Sequence, residues 1–303
     1  MDFASMDMKK EFEYYNKTAP LMTKQILGGE FKYRYYKNPS PEVNATIMML
    51  AGGTGLGDAF AAFAKRFMDR YSLINFNYPM AYKDNEQLAD AIAELIRTLK
   101  AENVYLWGQS YGGVLAQIIA KKHPNVVKGL ILTSTASLTP NLRFEGMQCL
   151  VRMLGKEKEE KNIKMYKKMP LFLLPVLMNL AFKKHLKDNP GAQDAIKEIL
   201  NQVKPDLTNE YLCHMGHLLG DLRNHVGTHS KEDYTYLKGS VLIIEPDDDK
   251  TFTADIKEAL IESMTEPTVV REIPGGHLAM MLDTDSFMDI IDHFMEEQNL
   301  QAR

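Results

Sequence analysis

Cysteine is scarce in this chain of 303 residues, which contains only Cys149 and Cys213. The two lie far apart in the sequence and do not have the spacing of metal ligands. A disulfide framework and a zinc site of cysteines are therefore both unsupported. Such cysteine usage is typical of proteins from a reducing compartment. We therefore expect a cytoplasmic location.

Long apolar runs are also missing. The longest one, residues 171–182, is interrupted by Pro175 and Asn179, whereas a helix that crosses a bilayer needs about 20 apolar residues. The opening residues, MDFASMD, are acidic and lack the apolar region of a signal peptide. The sequence therefore predicts no stable membrane insertion.

Positive charge does not predominate. The chain has 36 Lys and Arg against 40 Asp and Glu, a net charge of -4, which argues against a nucleic-acid partner. Its 45% hydrophobic and 25% charged residues are ordinary for a soluble globular protein. The length allows one large domain, with or without an insertion.

Two parts of the chain alternate strand patterns with helix patterns. The predicted strands cover residues 46–50, 71–76, 104–107, 127–133, 240–245 and 268–273. The predicted helices between and after them cover residues 59–68, 87–99, 111–122, 254–264 and 286–298. Such alternation is typical of α/β proteins, and it predicts βαβ units and a mostly parallel central sheet flanked by helices.

The segment between these parts, residues 138–236, has no clear strand pattern. It is rich in Lys, Met and Leu, and its prolines divide it into several helices. It is far too long for a loop in a compact domain. We therefore predict a helical cap, or lid, at 138–236, inserted between a first core part at 1–137 and a second at 237–303.

Residues 108–112 read GQSYG, which is a G-x-S-x-G motif. The predicted strand 104–107 precedes it and the predicted helix 111–122 follows it, which is the context of a nucleophile elbow with Ser110 at its tip. The glycines let the strand and the helix pass closely, and the helix N-terminus favours developing negative charge. The motif alone also arises by chance, so the rest of the chain must support it.

A serine nucleophile needs a base, and His277 is the candidate. It ends the stretch IPGGH, residues 273–277, after the last predicted strand and before the last predicted helix. Gly275 and Gly276 would let this loop curl back over the carboxyl edge of the sheet. An arbitrary histidine would more often be a surface residue, but this position favours catalysis.

The orienting acid should follow the predicted strand 240–245, because this type of triad has the chain order Ser, acid, His. Residues 245–249 read EPDDD. Three aspartates in a turn are usually solvated, yet one must reach the histidine if the triad is real. We favour Asp249 and then Asp248, over Asp247.

Two backbone N–H groups are needed to stabilise an oxyanion. One would come from Tyr111, which follows the nucleophile. The other would come from Gly53, with Thr54 close behind, in the glycine-rich loop AGGTGLG at 51–57. Such a loop could also cradle a phosphate, but it lacks the Lys-Ser/Thr of a P-loop.

These three stretches, the elbow, the acid turn and the histidine loop, resemble the α/β-hydrolase superfamily. The resemblance implies the α/β-hydrolase fold and a capped serine hydrolase without a metal or organic cofactor. It implies a catalytic site and oxyanion hole formed by Ser110, Asp249, His277, Tyr111 and Gly53. One departure is Ala51, which stands where many relatives have a histidine, so the support of the loop should differ.

The most specific expectation is cleavage of a carboxylic ester, or a related acyl bond, of a small hydrophobic substrate through an acyl-enzyme. Substrate contacts are expected from Thr54, Leu173 and Leu177. The alternatives are C–C bond hydrolysis, aminopeptidase chemistry and a non-catalytic binding protein, because one fold hosts many functions. Acyl chain length, leaving group and oligomeric state stay open.

The apolar segment 171–182 has two interpretations. It could lie over Ser110 and admit acyl chains, or its basic flanks could rest on an anionic membrane surface. We prefer the first, because Pro175 breaks the long helix that surface binding would favour. A third possibility is that the apolar residues of the cap simply form its own core. These residues are Met153, Met165, Met169, Phe172, Leu173 and Met178.

Overall fold

The protein is built around one eight-stranded sheet with the strand order β1-β2-β4-β3-β5-β6-β7-β8. The computed structural model describes residues 6–173, 176 and 190–301. The strands are β1 Leu21–Ile26, β2 Gly29–Tyr36, β3 Thr46–Leu50, β4 Ser72–Asn75, β5 Val104–Gln109, β6 Gly129–Thr133, β7 Val241–Ile244 and β8 Thr268–Val270. Strand β2 is antiparallel to β1 and β4, and all other neighbours are parallel.

Helices precede, connect and follow the strands. They are α1 Met8–Thr18, α2 Ala61–Met68, α3 Asn85–Leu99, α4 Tyr111–Lys122, α5 Phe144–Leu154, α6 Lys156–Lys168, α7 Pro190–Val203, α8 Asn209–Asp221, α9 Ala254–Glu262, α10 Ala279–Leu282 and α11 Thr284–Gln301. Between β6 and β7 the described residues form helices α5 to α8 and short 3₁₀ turns, and no strand.

The central strands are buried on both faces. Every residue of β3, β6 and β7 is buried, which explains their continuous apolar sequences, since parallel strands are covered by helices on both sides. The register pairs Leu50 with Gly108, Gln109 with Thr133, and Thr133 with Ile244. The segments that follow these strands therefore emerge at the same edge of the sheet.

The mostly parallel sheet with flanking helices is confirmed, but element boundaries differ from the predictions. Strand β4 is shorter than the predicted 71–76 and β8 shorter than 268–273, while the start of the predicted helix 59–68 lies in a 3₁₀ turn, Gly57–Phe60. The hairpin of β1 and β2 was not predicted. Strand β1 is largely exposed, and the turn uses Leu27 at a φ of 44°, a residue that is no turn signal.

An aromatic cluster fixes strand β5 against helix α2. The ring of Trp107 is fully buried and makes edge-to-face contacts with Phe60, Phe63 and Phe67 at centroid distances of 5.0, 5.5 and 5.5 Å. Each such pair contributes about 0.5–1.5 kcal/mol beyond the area it buries. The strand that leads to Ser110 is therefore held firmly from one face of the sheet.

Helix α4 begins directly after β5 and passes very close to the sheet. A Cβ atom at Gly108 would overlap the backbone of Gly112, and one at Gly112 would overlap the carbonyl group of Leu50. Both neighbours are backbone, which cannot rotate away as a side chain can. The two glycines of the G-x-S-x-G motif are thus required by packing.

We predict that Gly112→Ala lowers the free energy of unfolding by about 3 kcal/mol, the upper range for overpacking, because the new methyl group meets the backbone of β3. The matched control is Gly216→Ala in α8, where the nearest atom to a Cβ is 3.3 Å away in the Ile163 side chain and alanine favours the helix. Urea denaturation would measure both variants. Equal, small effects would contradict the packing argument.

Candidate active site

Ser110 stands at the turn between β5 and α4 in a conformation that is rare for a residue with a side chain. Its φ is 54° and its ψ is −117°, which costs on the order of 1–3 kcal/mol. Hydrogen bonds hold it there. The Ser110 N–H donates to the Thr133 carbonyl at 2.9 Å, and the Ser110 carbonyl accepts from Thr135 Oγ1 at 2.6 Å and from Gly113 N at 3.0 Å.

His277 lies between the serine and an aspartate. Its Nε2 is 3.2 Å from Ser110 Oγ, and its Nδ1 is 2.9 Å from Asp249 Oδ2. A neutral imidazole satisfies both contacts when Nδ1–H donates to the carboxylate and Nε2 accepts the serine hydroxyl proton. The Phe252 ring packs edge-on to the imidazole at 5.9 Å. The structure thus brings the predicted Ser110, His277 and Asp249 together in one hydrogen-bonded row.

The turn after β7 aims Asp249 inward. The Asp249 N–H donates to the Pro246 carbonyl at 3.0 Å. The ammonium group of Lys257 on α9 donates to the carbonyls of Pro246 and Asp249 at 2.6 and 2.9 Å. Burial raises the pKa of the Asp249 carboxyl, but hydrogen bonds from His277 and Thr251 and the His277 charge outweigh it, and the net pKa lies below the usual value. Asp249 is therefore a carboxylate at neutral pH.

Asp248 has a different contact. Its side chain accepts the N–H groups of Gly275 and Gly276 at 3.0 and 2.9 Å. Both glycines have positive φ values, 119° and 57°, a conformation that glycine adopts readily. Asp248 therefore holds the loop that carries His277, a contact that its position in a run of aspartates did not indicate.

The two predicted oxyanion donors border the same cavity as Ser110. Tyr111 is the first residue of α4, so its N–H is one of the four that a helix leaves without an internal acceptor. Gly53 belongs to the exposed part of the loop at 51–57. Thr54 is also exposed, but it does not line the cavity within the described part of the chain.

Two tyrosines support the glycine-rich loop, which has Ala51 at the position where many relatives have a histidine. The Tyr78 hydroxyl donates to the Ala51 carbonyl at 2.7 Å. The Tyr211 hydroxyl, from α8, donates to the Gly55 carbonyl at 2.7 Å. Burial raises the pKa of Tyr78 well above its usual value, so this hydroxyl stays a donor. Sequence reasoning missed both residues, because no local pattern connects them to the loop.

An apolar cavity of about 80 Å³ opens beside Ser110. Helix α5 and the region around the end of α8 contribute much of its wall. Besides Ser110, Tyr111 and Gly53, the lining residues are Val114, Ala136, Ser137, Leu138, Leu150, Met153, Leu154, Leu219, Leu222, Val226 and Phe252. Apart from Ser110, Tyr111 and Ser137, these residues carry no polar side-chain group, so the cavity favours an apolar ligand.

The predicted cover of the site, residues 171–182, lies mostly outside the described residues. Leu173 does not line this cavity among the described residues and is exposed, and Leu177 lies outside the described residues. Of the other apolar residues named for the cap, Met153 lines the cavity, while Met165 and Phe172 are exposed. Within the described residues, helices α5 and α8 supply side chains to the cavity beside Ser110, and α6 packs against α8.

The described residues contain no group of three or more His, Cys, Asp and Glu side chains placed to hold a metal ion. Within the same ranges, no helix combines the length and the apolar character needed to cross a membrane.

The sequence matches a family model described as the alpha/beta hydrolase fold over residues 46–156. This range contains the glycine-rich loop and the elbow. The other predicted site residues, Asp249 and His277, lie beyond it, so their placement rests on the geometry described above.

Solved structures of hydrolases share the fold across nearly the whole chain. An esterase from Exiguobacterium antarcticum superimposes with a TM-score of 0.68 at 19% identity, covering 91% of this chain and 99% of that one. An enol-lactonase from Burkholderia xenovorans gives 0.67 at 15% identity, covering 91% and 100%. A bacterial membrane phospholipase A gives 0.66 at 17% identity, covering 96% and 90%. Identities this low establish the fold and no substrate. With the matching family model and the eight-stranded sheet, they show that the chain has the α/β-hydrolase fold.

Proposed function

We propose that this protein is a serine hydrolase that cleaves a carboxylic ester, or a related acyl bond, of a small hydrophobic substrate. The observation that carries the proposal is the hydrogen-bonded row of Ser110, His277 and Asp249. Hydrolysis as the reaction class is also supported by the family and by the esterase and lactonase among the similar structures.

The geometry supports a two-step reaction through an acyl-enzyme. His277 Nε2 takes the proton of Ser110 Oγ as the oxygen attacks the acyl carbon, and Asp249 stabilises the imidazolium ion. The N–H groups of Tyr111 and Gly53 donate to the oxyanion. His277 then gives its proton to the leaving alcohol. In the second step His277 accepts a proton from water, the hydroxide attacks the acyl carbon, and Ser110 leaves with that proton.

The cavity wall indicates the substrate class. It is apolar and small, so a short acyl chain would fill it and each buried CH₂ would contribute about 0.8 kcal/mol. We assign residues 138–236 as a cap, because Leu150 and Met153 of α5 and Leu219 of α8 line the cavity beside Ser110. Such a cap selects a small-molecule acyl substrate by size.

Aminopeptidase chemistry is less well supported by the same cavity. An aminopeptidase must bind a free ammonium group, for which a carboxylate is the natural partner. The described residues that line the cavity include no charged side chain. A panel of esters, thioesters, anilides and diketones would separate ester cleavage from peptidase and C–C bond hydrolase activity, and inactivity on all of them would favour a binding protein.

The proposed location is cytoplasmic. Cys149 and Cys213 are both buried and form no disulfide, as expected of thiols in a reducing compartment.

We predict that Ser110→Ala lowers kcat for a short p-nitrophenyl ester by about four to six orders of magnitude, because the variant lacks the hydroxyl that lies within reach of His277 Nε2. Circular dichroism should show an intact fold. Residual turnover near that of the wild type would refute Ser110 as the nucleophile.

We predict that Asp249→Asn lowers kcat by about 10⁴-fold, because the imidazole loses the acceptor that fixes its tautomer. Asp247→Asn is the matched control, since that residue lies two positions before Asp249 and is exposed, and its kcat should stay within about twofold of the wild type. Asp248→Asn should have an intermediate effect through the His277 loop. Steady-state rates at pH 7 would rank the three, and equal losses at 247 and 249 would contradict the assignment.

We predict that Met153→Trp narrows the cavity and shortens the preferred acyl chain. The ratio of kcat/KM for hexanoate to acetate esters should fall by about fourfold for each CH₂ excluded. Met165→Trp is the control, because Met165 is exposed on α6 and does not line the cavity. An unchanged ratio in Met153→Trp, or the same change in Met165→Trp, would count against this acyl pocket.

A further inference from the structure

Glu245 is a fully buried carboxyl group beside the candidate active site. It directly follows β7 and precedes the turn that carries Asp249, and its exposed fraction is 0%. Its Oε1 accepts the Thr135 N–H at 2.6 Å, whereas Oε2 has no hydrogen-bond partner among the described residues. A buried carboxyl oxygen without a partner is costly to keep. The cost suggests that the residue has a role in the site.

Thr135 connects Glu245 to the nucleophile. Its hydroxyl Oγ1 donates to the carbonyl of Ser110 at 2.6 Å. It also packs against Gly113 in the first turn of α4, where an added Cβ would lie 2.6 Å from Thr135 Oγ1. The preceding Ser134 has a φ of 46°, so the backbone is also strained directly before Thr135. Within the described part of the chain, the acceptor of its N–H is Glu245.

We propose that Glu245 is a positioning residue for the reaction, which holds Thr135 and through it the strained backbone of Ser110 beneath His277. This inference rests on the proposed function, because it concerns a residue that holds the same nucleophile in position. The positive φ of Ser110 is unfavourable by itself. The turn therefore keeps this conformation only when the surrounding hydrogen bonds hold it. Glu245 supplies the side-chain bond to Thr135, next to the bond that the Ser134 N–H donates to the Ile244 carbonyl of β7 at 3.0 Å.

The charge state of Glu245 follows from its surroundings. Burial raises the pKa of Glu245 to about 8, and the Asp249 charge acts in the same direction. The Thr135 hydrogen bond and the positive charges of Lys257 on α9 and Arg271 after β8 oppose the shift. Glu245 is therefore mainly a neutral acid at pH 7, which still accepts from Thr135 through its carbonyl oxygen.

Ionisation above pH 8 would place a second negative charge near Asp249. Of the two positive charges that lower the pKa of Glu245, Lys257 acts more strongly than Arg271, and it already holds the acid turn through the Pro246 and Asp249 carbonyls. A carboxylate at Glu245 would compete for this ammonium group. The turn that aims Asp249 at His277 would then loosen, and turnover would fall.

The first test removes, one at a time, the hydrogen bond between Glu245 and Thr135 and the hydrogen bond between Thr135 and Ser110. Glu245→Ala and Thr135→Val each remove one link, and each should lower kcat by about tenfold, or about 1.4 kcal/mol, with KM changed less than about twofold. The double variant should lose little more than either single one, because linked groups are not additive. Glu245→Gln and Thr135→Ser keep the acceptor and the hydroxyl, and both should stay near the wild type at pH 7.

The second test uses pH. The kcat profile of the wild type should fall with an ionisation near pH 8, and Glu245→Gln should lack this step. Stability gives an independent measure. Glu245 binds its proton up to about pH 8 when folded but only to about pH 4.3 when unfolded. Unfolding therefore releases a proton between these values, and the wild type loses stability as pH rises. The Tm of Glu245→Gln minus that of the wild type should increase from pH 5 to pH 8.

Three results would overturn the positioning role while leaving the proposed function intact: wild-type kcat in both Glu245→Ala and Thr135→Val, an alkaline step that persists in Glu245→Gln, or a Tm difference that does not change with pH. If Glu245→Ala does not fold, the comparison of Thr135→Val with Thr135→Ser and the pH profile of Glu245→Gln decide the question. A wild type that hydrolyses no ester, thioester, anilide or diketone would overturn both proposals.

Discussion

The close passage of helix α4 over the carboxyl ends of β3 and β5 is the constraint on which the rest of the site depends. The backbone contacts at Gly108 and Gly112 exclude any side chain, and they force the intervening Ser110 into a positive φ. That turn exposes the serine hydroxyl at the sheet edge and aims the N-terminus of α4 at the same point. The strain persists because buried strands on both sides fix the register.

Each of the other groups reaches Ser110 through a loop that polar contacts hold in place. Lys257 holds the acid turn, Asp248 holds the histidine loop, and Tyr78 and Tyr211 hold the glycine-rich loop. Loops alone would place catalytic groups loosely, whereas a productive geometry tolerates errors of only about 0.5 Å. The glycine-rich loop has its own partners, whereas the acid turn and the histidine loop are linked through Asp248, so damage to the acid turn should also loosen the loop of His277.

Much of the fold and the centre of the site could be predicted from the sequence because their signals are local. The elbow is a strand, a turn and a helix in one stretch, and the buried strands β3, β5, β6 and β7 are short apolar runs. The wall of the cavity could not be predicted in this way. Leu150 and Met153 line the cavity because the packing of α5 and α8 decides which of their apolar side chains face it, and no local pattern marks them. The contact of Glu245 with Thr135 likewise depends on the register of β6 and β7, which no single stretch encodes.

The central claim is that Ser110 is a nucleophile activated by His277. Labelling with a fluorophosphonate probe, followed by mass spectrometry of the digested protein, tests it most directly without any knowledge of the substrate. The account predicts one covalent adduct, on the peptide that contains Ser110, and labelling that becomes at least about 10²-fold slower in His277→Gln. An unlabelled protein, an adduct on another residue, or an unchanged rate in His277→Gln would contradict it.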